Sequence, residues 1–217
     1  MQLSLHLSTR RHEPIQAYAS RTGTRTTLAA LREVGWRLLV SATGVWRTEG
    51  FQYALDNGAW TSFQQGRPFD EGLFHGVVQQ LGAGADWVVA PDIVAGGLKS
   101  LAYTESWLPR LSAYHALVAV QDGMEEADVR PLLSPGRVGL FVGGSTEWKV
   151  ATIPQWGRLA RDVGCYLHVG RVNTAKRMRL CMVSGADSFD GTSVTKFPKT
   201  LGLLERTRRE ECLIRMY

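Results

Sequence analysis

Six segments of this chain place a polar or glycine-rich signature directly after a short apolar run: "ALDNGAW", "APDIVAGG", "AVQDGM", "FVGGSTEW", "LHVGRVN" and "SFDGTS". Between them they carry the carboxylates Asp56, Asp92 and Asp190, the amide of Gln121 and the backbone of Gly143 and Gly144. Two carboxylates in different surroundings can divide a reaction, one ionised as nucleophile and the other exchanging a proton. Taken singly, each motif also reads as turn chemistry: Asp56–Gly58 as Asp-Asn-Gly, Asp92 as a helix cap, Asp122–Gly123 as a turn, and the diglycine as relief of crowding. Taken together they need a common place, because carboxylates withdrawn from water are costly unless paired, hydrogen-bonded or functional.

The elements that would position these residues are short β-rich runs alternating with helical stretches, the pattern of parallel βα units. The strand candidates are Leu3–Leu7, Arg37–Ala42, Gln52–Asn57, Asp86–Ile93, Ala116–Asp122, Val138–Gly144, Cys165–Arg171 and Asp187–Gly191. Helices are expected over Thr24–Val34, Phe69–Leu81, Leu98–Leu111, Glu125–Leu133, Ile153–Asp162, Thr174–Ser184 and Thr195–Arg209. The segment between the second and third strands is too short for a helix. Near-continuous apolar runs such as "WVVA" and "LVAV" suit strands covered on both faces. The expected architecture is an α/β fold, a single-domain (β/α)8 TIM-like barrel over residues 1–217, compact and partly irregular, with an open doubly wound sheet as the alternative. In such a barrel the loops after the strands converge on one mouth. In "GADSFDGTS" this puts Asp187 on the N-terminal side of the last strand as a structural residue, and Asp190 at its C-terminal end.

The chain has 217 residues, 44% of them hydrophobic, enough for one large core. A net charge of +5 is compatible with a polyanionic partner. Arg206, Arg208, Arg209 and Arg215 cluster near the C-terminus, readable as a solvated helix face or as part of an anion-binding rim. No apolar run approaches bilayer length and the N-terminus lacks a secretion signal, so the expectation is a soluble cytoplasmic protein with no membrane partner. Cys165, Cys181 and Cys212 are too widely spaced for a disulfide framework or a metal knuckle. No histidine set has metal spacing, and no phosphate-cradling, zinc-protease or hydrolase-elbow motif occurs, so neither metal nor cofactor is expected.

The order of the strand-end motifs resembles the tRNA-guanine transglycosylase superfamily, most of all the small DNA-modifying deazaguanine transglycosylases. "LDNGAW" resembles an Asp-Ser-Gly-Gly-aromatic motif and "PDIVAGG" a strand-end Asp segment. "VQDGMEEADVR" is similar to a V-Q-G-G motif with an acidic helix start, and "FVGGSTE" to G-G-L-x-x-G-E. "YLHVGRVNTAKRMRLCMVSGADSFDGTS" is similar to the last barrel turn, ending in G-x-D-x-F-D-C. The resemblance implies base exchange in a nucleic acid: guanine leaves and a 7-deazaguanine such as preQ0 enters through a covalent sugar intermediate.

By the same resemblance, Asp190 is the nucleophile and Asp56 the acid/base. Asp92 and Gln121 read the guanine edge, Gly143 and Gly144 offer backbone to the base, and Trp60 and His168 flank it. Lys149, Lys176, Arg177 and Lys196 are then candidate phosphate contacts, with a plain surface role as the alternative. The chain lacks the C-x-C-x-x-C-and-His zinc element of the tRNA enzymes, which shifts the expected partner to DNA, with tRNA as the alternative. Gly191 replaces the motif cysteine, and Glu147 is offset from the family glutamate. A non-catalytic nucleic-acid-binding barrel stands beside the enzyme reading, and a homodimer or a partner enzyme is left open.

Overall fold

A computed structural model describes residues 14–20 and 23–214, and in it eight parallel strands close into a barrel in chain order. They are β1 (Gln16–Ser20), β2 (Arg37–Ser41), β3 (Tyr53–Asp56), β4 (Val88–Val89), β5 (Ala116–Val120), β6 (Val138–Val142), β7 (Leu167–Val169) and β8 (Ser188–Gly191). The ring closes where β1 lies beside β8, with Tyr18 opposite Asp190. The fold is therefore the (β/α)8 barrel, and all five residues of β5, "ALVAV", are buried, as a strand covered on both faces must be. The first expected strand, Leu3–Leu7, lies outside the described residues, as do His6, His12 and Arg215. Its place in the barrel is taken by "QAYAS", whose small alanines carry little β signal.

The helical layer comprises α1 (Arg25–Glu33), α2 (Ala59–Gln64), α3 (Glu71–Leu81), α4 (Leu98–Trp107), α5 (Glu126–Val129), α6 (Thr146–Val163), α7 (Ala175–Val183), α8 (Ser193–Lys196) and α9 (Pro198–Ile214). The β2–β3 connection contains no helix, as its length requires. Three differences from the sequence expectation matter for the site. The short α2 follows β3 directly and carries Trp60. The helix expected from Ile153 begins at Thr146, capped by Ser145, and runs through Pro154. The helix expected over Thr195–Arg209 breaks before Pro198 into α8 and α9. On α9 the arginine cluster is partly consumed internally: Arg208 Nε and Arg209 Nε both donate to Glu205, at 2.8 and 2.6 Å, and Trp36 Nε1 donates to the same carboxylate.

Apolar side chains fill two compartments. The larger lies between strands and helices, with Leu38, Val40, Leu55, Val118 and Trp156 among its members. The smaller is the barrel interior: Tyr18, Leu39, Ala54, Trp87, Val89, Leu117 and Ala119, with Phe141 and Tyr166 packed against them. Because strand side chains alternate, the inward position two residues beyond Ala54 is Asp56, beyond Ala119 is Gln121, and beyond Tyr166 is His168. The centre of the interior is apolar, with polar groups toward both ends: the Tyr18 hydroxyl on Asp86 at the N-terminal side, and Asp56, Gln121 and His168 toward the C-terminal strand ends. Among the described residues no helix is long and apolar enough to cross a membrane.

Candidate active site

Asp190 ends the inward row of β8 and is 4% exposed. Its Oδ1 accepts from His168 Nε2 at 3.0 Å and from the Arg171 backbone N–H at 3.2 Å. His168 is fully buried, and its Nδ1 lies 2.7 Å from Ser188 Oγ, one inward step below Asp190. Burial lowers the imidazole's proton affinity despite the pull of Asp190, so the ring is neutral. The network then fixes the tautomer: Nε2–H donates to the carboxylate and the Ser188 hydroxyl donates to Nδ1. The imidazole is stacked on Phe141 at 4.9 Å and 24°, and Trp87 is tilted against it at 4.5 Å. This corrects the expectation that His168 flanks a substrate base: it sits beneath the mouth and orients Asp190.

Across the mouth, Asp56 ends β3 opposite Ser41. Its carboxyl is pushed up to about 7, first by burial and next by the charge of Asp190, against hydrogen bonds from Ser41 and the Gly58 N–H. Asp92 follows β4, and burial pushes it up to about 6, opposed by Asn57 Nδ2 donating to Oδ1 at 2.8 Å. Asn57 is buried, with its amide also bonded to Ala90 O and to the Ala59 N–H. The sequence offered it only as a turn residue, yet it holds Asp92 in place. Gln121 is buried beside them, one Nε2–H given to Ile93 O at 3.0 Å and a second left over. Asp56, Asp92, Gln121 and Asp190 therefore share one mouth.

The two glycines differ. A side chain at Gly143 would meet ordinary contacts, and its N–H is used by Val120 O, so steric need does not explain it. Gly144 has φ +70°, and a Cβ there would lie 2.6 Å from Asp122 Oδ2 and 2.7 Å from the Trp148 ring. Its carbonyl accepts from Arg171 Nη2. Arg171 was not singled out in the sequence, but it ties the mouth together. From a left-handed backbone position, φ 58°, it also lays its guanidinium 4.3 Å from the centre of the Trp60 ring. Trp60 is 39% exposed and stacked on Phe63. Beside this pair, Phe63, Phe69, Tyr103, Ile93, Arg67 and Asp92 line a cleft of about 240 Å³.

Of the four candidate phosphate contacts, Lys176 and Lys196 are exposed in the first turns after β7 and β8, and Arg177 is half-buried in α7. Lys149 is not a surface contact: it is 1% exposed and its ammonium donates to Gly170 O. Cys165 and Cys181 are buried free thiols, and the described residues contain no His/Cys/Asp/Glu group suited to a metal.

No protein-family model matches the chain, and a search of curated proteins finds no relative. Among solved structures it is similar to a chain of the tryptophan synthase α2β2 complex from Pyrococcus furiosus, at 14% identity and TM-score 0.51, covering 91% of this chain and 96% of that one. It is also similar to a candidate isomerase from Sinorhizobium meliloti, at 14% identity and TM-score 0.50, covering 87% of this chain. This chain spans about half the length of that isomerase, 53%. Likeness at this identity establishes the barrel and leaves the chemistry to the site.

Proposed function

We propose that the chain is a cytoplasmic base-exchange transglycosylase that replaces guanine in nucleic acid, DNA foremost, with a 7-deazaguanine such as preQ0. The observation that carries this reading is the pair Asp56 and Asp190 on one mouth in unlike surroundings. Asp190 is held through Oδ1 by two N–H donors, which leaves Oδ2 for carbon. Asp56, near 7, is divided between acid and base forms at neutral pH, as a proton shuttle needs. In the first half-reaction Asp190 Oδ2 bonds to C1′ as the bond from C1′ to guanine N9 breaks, and the proton of Asp56 goes to the departing base. In the second, Asp56 takes the N9 proton of the incoming 7-deazaguanine as that nitrogen bonds C1′ and the ester to Asp190 breaks.

Recognition follows from the neighbours. Asp92, steadied by Asn57, can accept the N–H groups of a guanine edge, and the spare N–H of Gln121 can donate to O6. A base reaches the mouth only by leaving its stack, and the Trp60 ring offers it a flat surface once the Arg171 guanidinium moves off it. Lys176 and Lys196 on the rim suit the flanking phosphates.

The test is an exchange assay with labelled guanine or preQ0 on DNA oligonucleotides and on tRNA, with Asp190→Ala as control. Exchange into DNA, a sugar adduct on denaturing gels, and loss of both in Asp190→Ala are expected. Unchanged exchange in that variant would remove Asp190 as nucleophile. Salt-sensitive DNA binding with neither exchange nor adduct would instead favour a non-catalytic binding barrel.

A further inference from the structure

Lys149 has no part in the chemistry above, yet it is the most deeply buried cation of the mouth. It projects from the first turn of α6, 1% exposed, and its ammonium donates to the carbonyl oxygen of Gly170. That carbonyl belongs to the same peptide group as the Arg171 N–H, which donates to Asp190 Oδ1. A cation on the oxygen of a peptide fixes its plane and polarises its N–H, strengthening the bond made at the other end. The peptide is confined from below as well. A Cβ on Gly170 would lie 2.8 Å from the Phe141 ring that supports His168, so the backbone approaches Asp190 where a side chain has no room.

We propose that Lys149 is a positioning residue for Asp190, acting through the Gly170–Arg171 peptide. Asp190 Oδ1 is then served by two relays, Ser188 through His168 on one side and Lys149 through the peptide on the other. The groups facing the ammonium are His168 from β7, Arg171 from the loop after β7, Asp190 from β8, and Cys181 and Arg177 from α7. Burial and the two arginines lower Lys149 to about 8 against the pull of Asp190, whereas burial pushes the Cys181 thiol up to about 12. Asp56, at about 7, also acts on Asp190, so the step that belongs to Lys149 is the one that Asp56→Asn keeps and Lys149→Met removes.

The structural arm of the test needs no substrate. In ¹⁵N-labelled wild-type protein the Arg171 amide proton should move upfield with a midpoint of about pH 8, as the ammonium is lost. In Lys149→Met it should sit upfield throughout. An Arg171 amide that stays flat in the wild type from about pH 6 to about pH 9, or one unmoved by Lys149→Met, would overturn the proposal. If Lys149→Met fails to fold, the same titration in Asp56→Asn decides the matter: a step that remains at about pH 8 belongs to Lys149, and a flat amide overturns the proposal. The activity arm rests on the transglycosylase reading: Lys149→Met should lower kcat for exchange by about tenfold with KM unchanged. Wild-type protein that exchanges no base would sink that reading, while the amide titration would still decide the role of Lys149.

Discussion

Asp86 and Asp56 stand at opposite ends of the same barrel and meet opposite treatment. Asp86, just before β4 at the N-terminal end, accepts from Arg37 Nη1 at 2.8 Å and from the Tyr18 hydroxyl at 3.0 Å. Asp56, at the C-terminal end, has no ion pair among the described residues, and the charges acting on it, Asp190 and Asp92, share its sign. Asp187 repeats the lower pattern, its carboxylate accepting the Leu167 N–H at 2.8 Å. The lower acids staple strands together. The upper ones are crowded at a cost to stability, which a fold tolerates where the crowding serves a reaction.

Exchanging one acid from each end tests this contrast most strongly. Asp56→Asn should lower base exchange by about a thousandfold, since a positioned proton shuttle contributes on that scale. Asp86→Ala should leave the upper site intact and lower the melting temperature, because Arg37 and the Tyr18 hydroxyl lose their acceptor, about 1–3 kcal/mol. Loss of exchange on removing Asp86, or none on removing Asp56, would break the division between the two ends. His168→Phe comes next in size. It keeps a ring against Phe141 and Trp87 but removes one of the two donors to Asp190, and kcat should fall by about a hundredfold.

The upper acids also set a pH dependence of stability. Asp56 and Asp92 bind protons more tightly folded, at about 7 and about 6, than at the ordinary value of 3.8. Their contribution is fully present below about pH 4 and is lost as pH rises to about 6 for Asp92 and about 7 for Asp56. Asp56→Asn should therefore raise the melting temperature at about pH 8, by about 2–4 °C per kcal/mol relieved, and leave it unchanged near about pH 4. Thermal melts at the two values check the sign. A variant equally stable or less stable at the higher pH would mean that the crowding costs nothing.

How much of this was legible in the sequence depended on whether a signal was local. Strand-end acids stand out because an apolar run followed by Asp or Gln needs only a few neighbouring residues to be seen. The barrel follows from the recurrence of such runs. His168 was misplaced for a reason of register: it shares the inward row of Tyr166 and Gly170, and its neighbours across the ladder are Phe141 and Ser188, which only pairing reveals. Lys149 was misplaced because the helix was expected to start at Ile153, which left Lys149 in the loop before it. Once α6 begins at Thr146, Lys149, Ile153, Trp156 and Ala160 fall on one stripe, the buried face of the helix. Arg171 gave no signal, since its role depends on a left-handed backbone and on three partners far away in sequence.

Arg171 also supplies the smallest and most discriminating effect, because its backbone and its side chain serve different corners. The N–H holds Asp190, while the guanidinium lies over Trp60 and reaches Gly144 O. Arg171→Gly separates the two: glycine adopts φ 58° without the roughly 1 kcal/mol that a side chain costs there and keeps the N–H. The guanidinium, worth about 0.5–2 kcal/mol over an aromatic ring, is lost. On the transglycosylase reading, KM for nucleic acid should rise by about three- to tenfold with kcat within about twofold, the signature of binding removed equally from ground and transition states. The slope of log affinity against log salt should shrink by about one, if the side chain turns from Trp60 to a phosphate when the base arrives. A large fall in kcat with KM unchanged would assign the guanidinium to the Asp190 corner and erase the separation between holding the nucleophile and holding the nucleic acid.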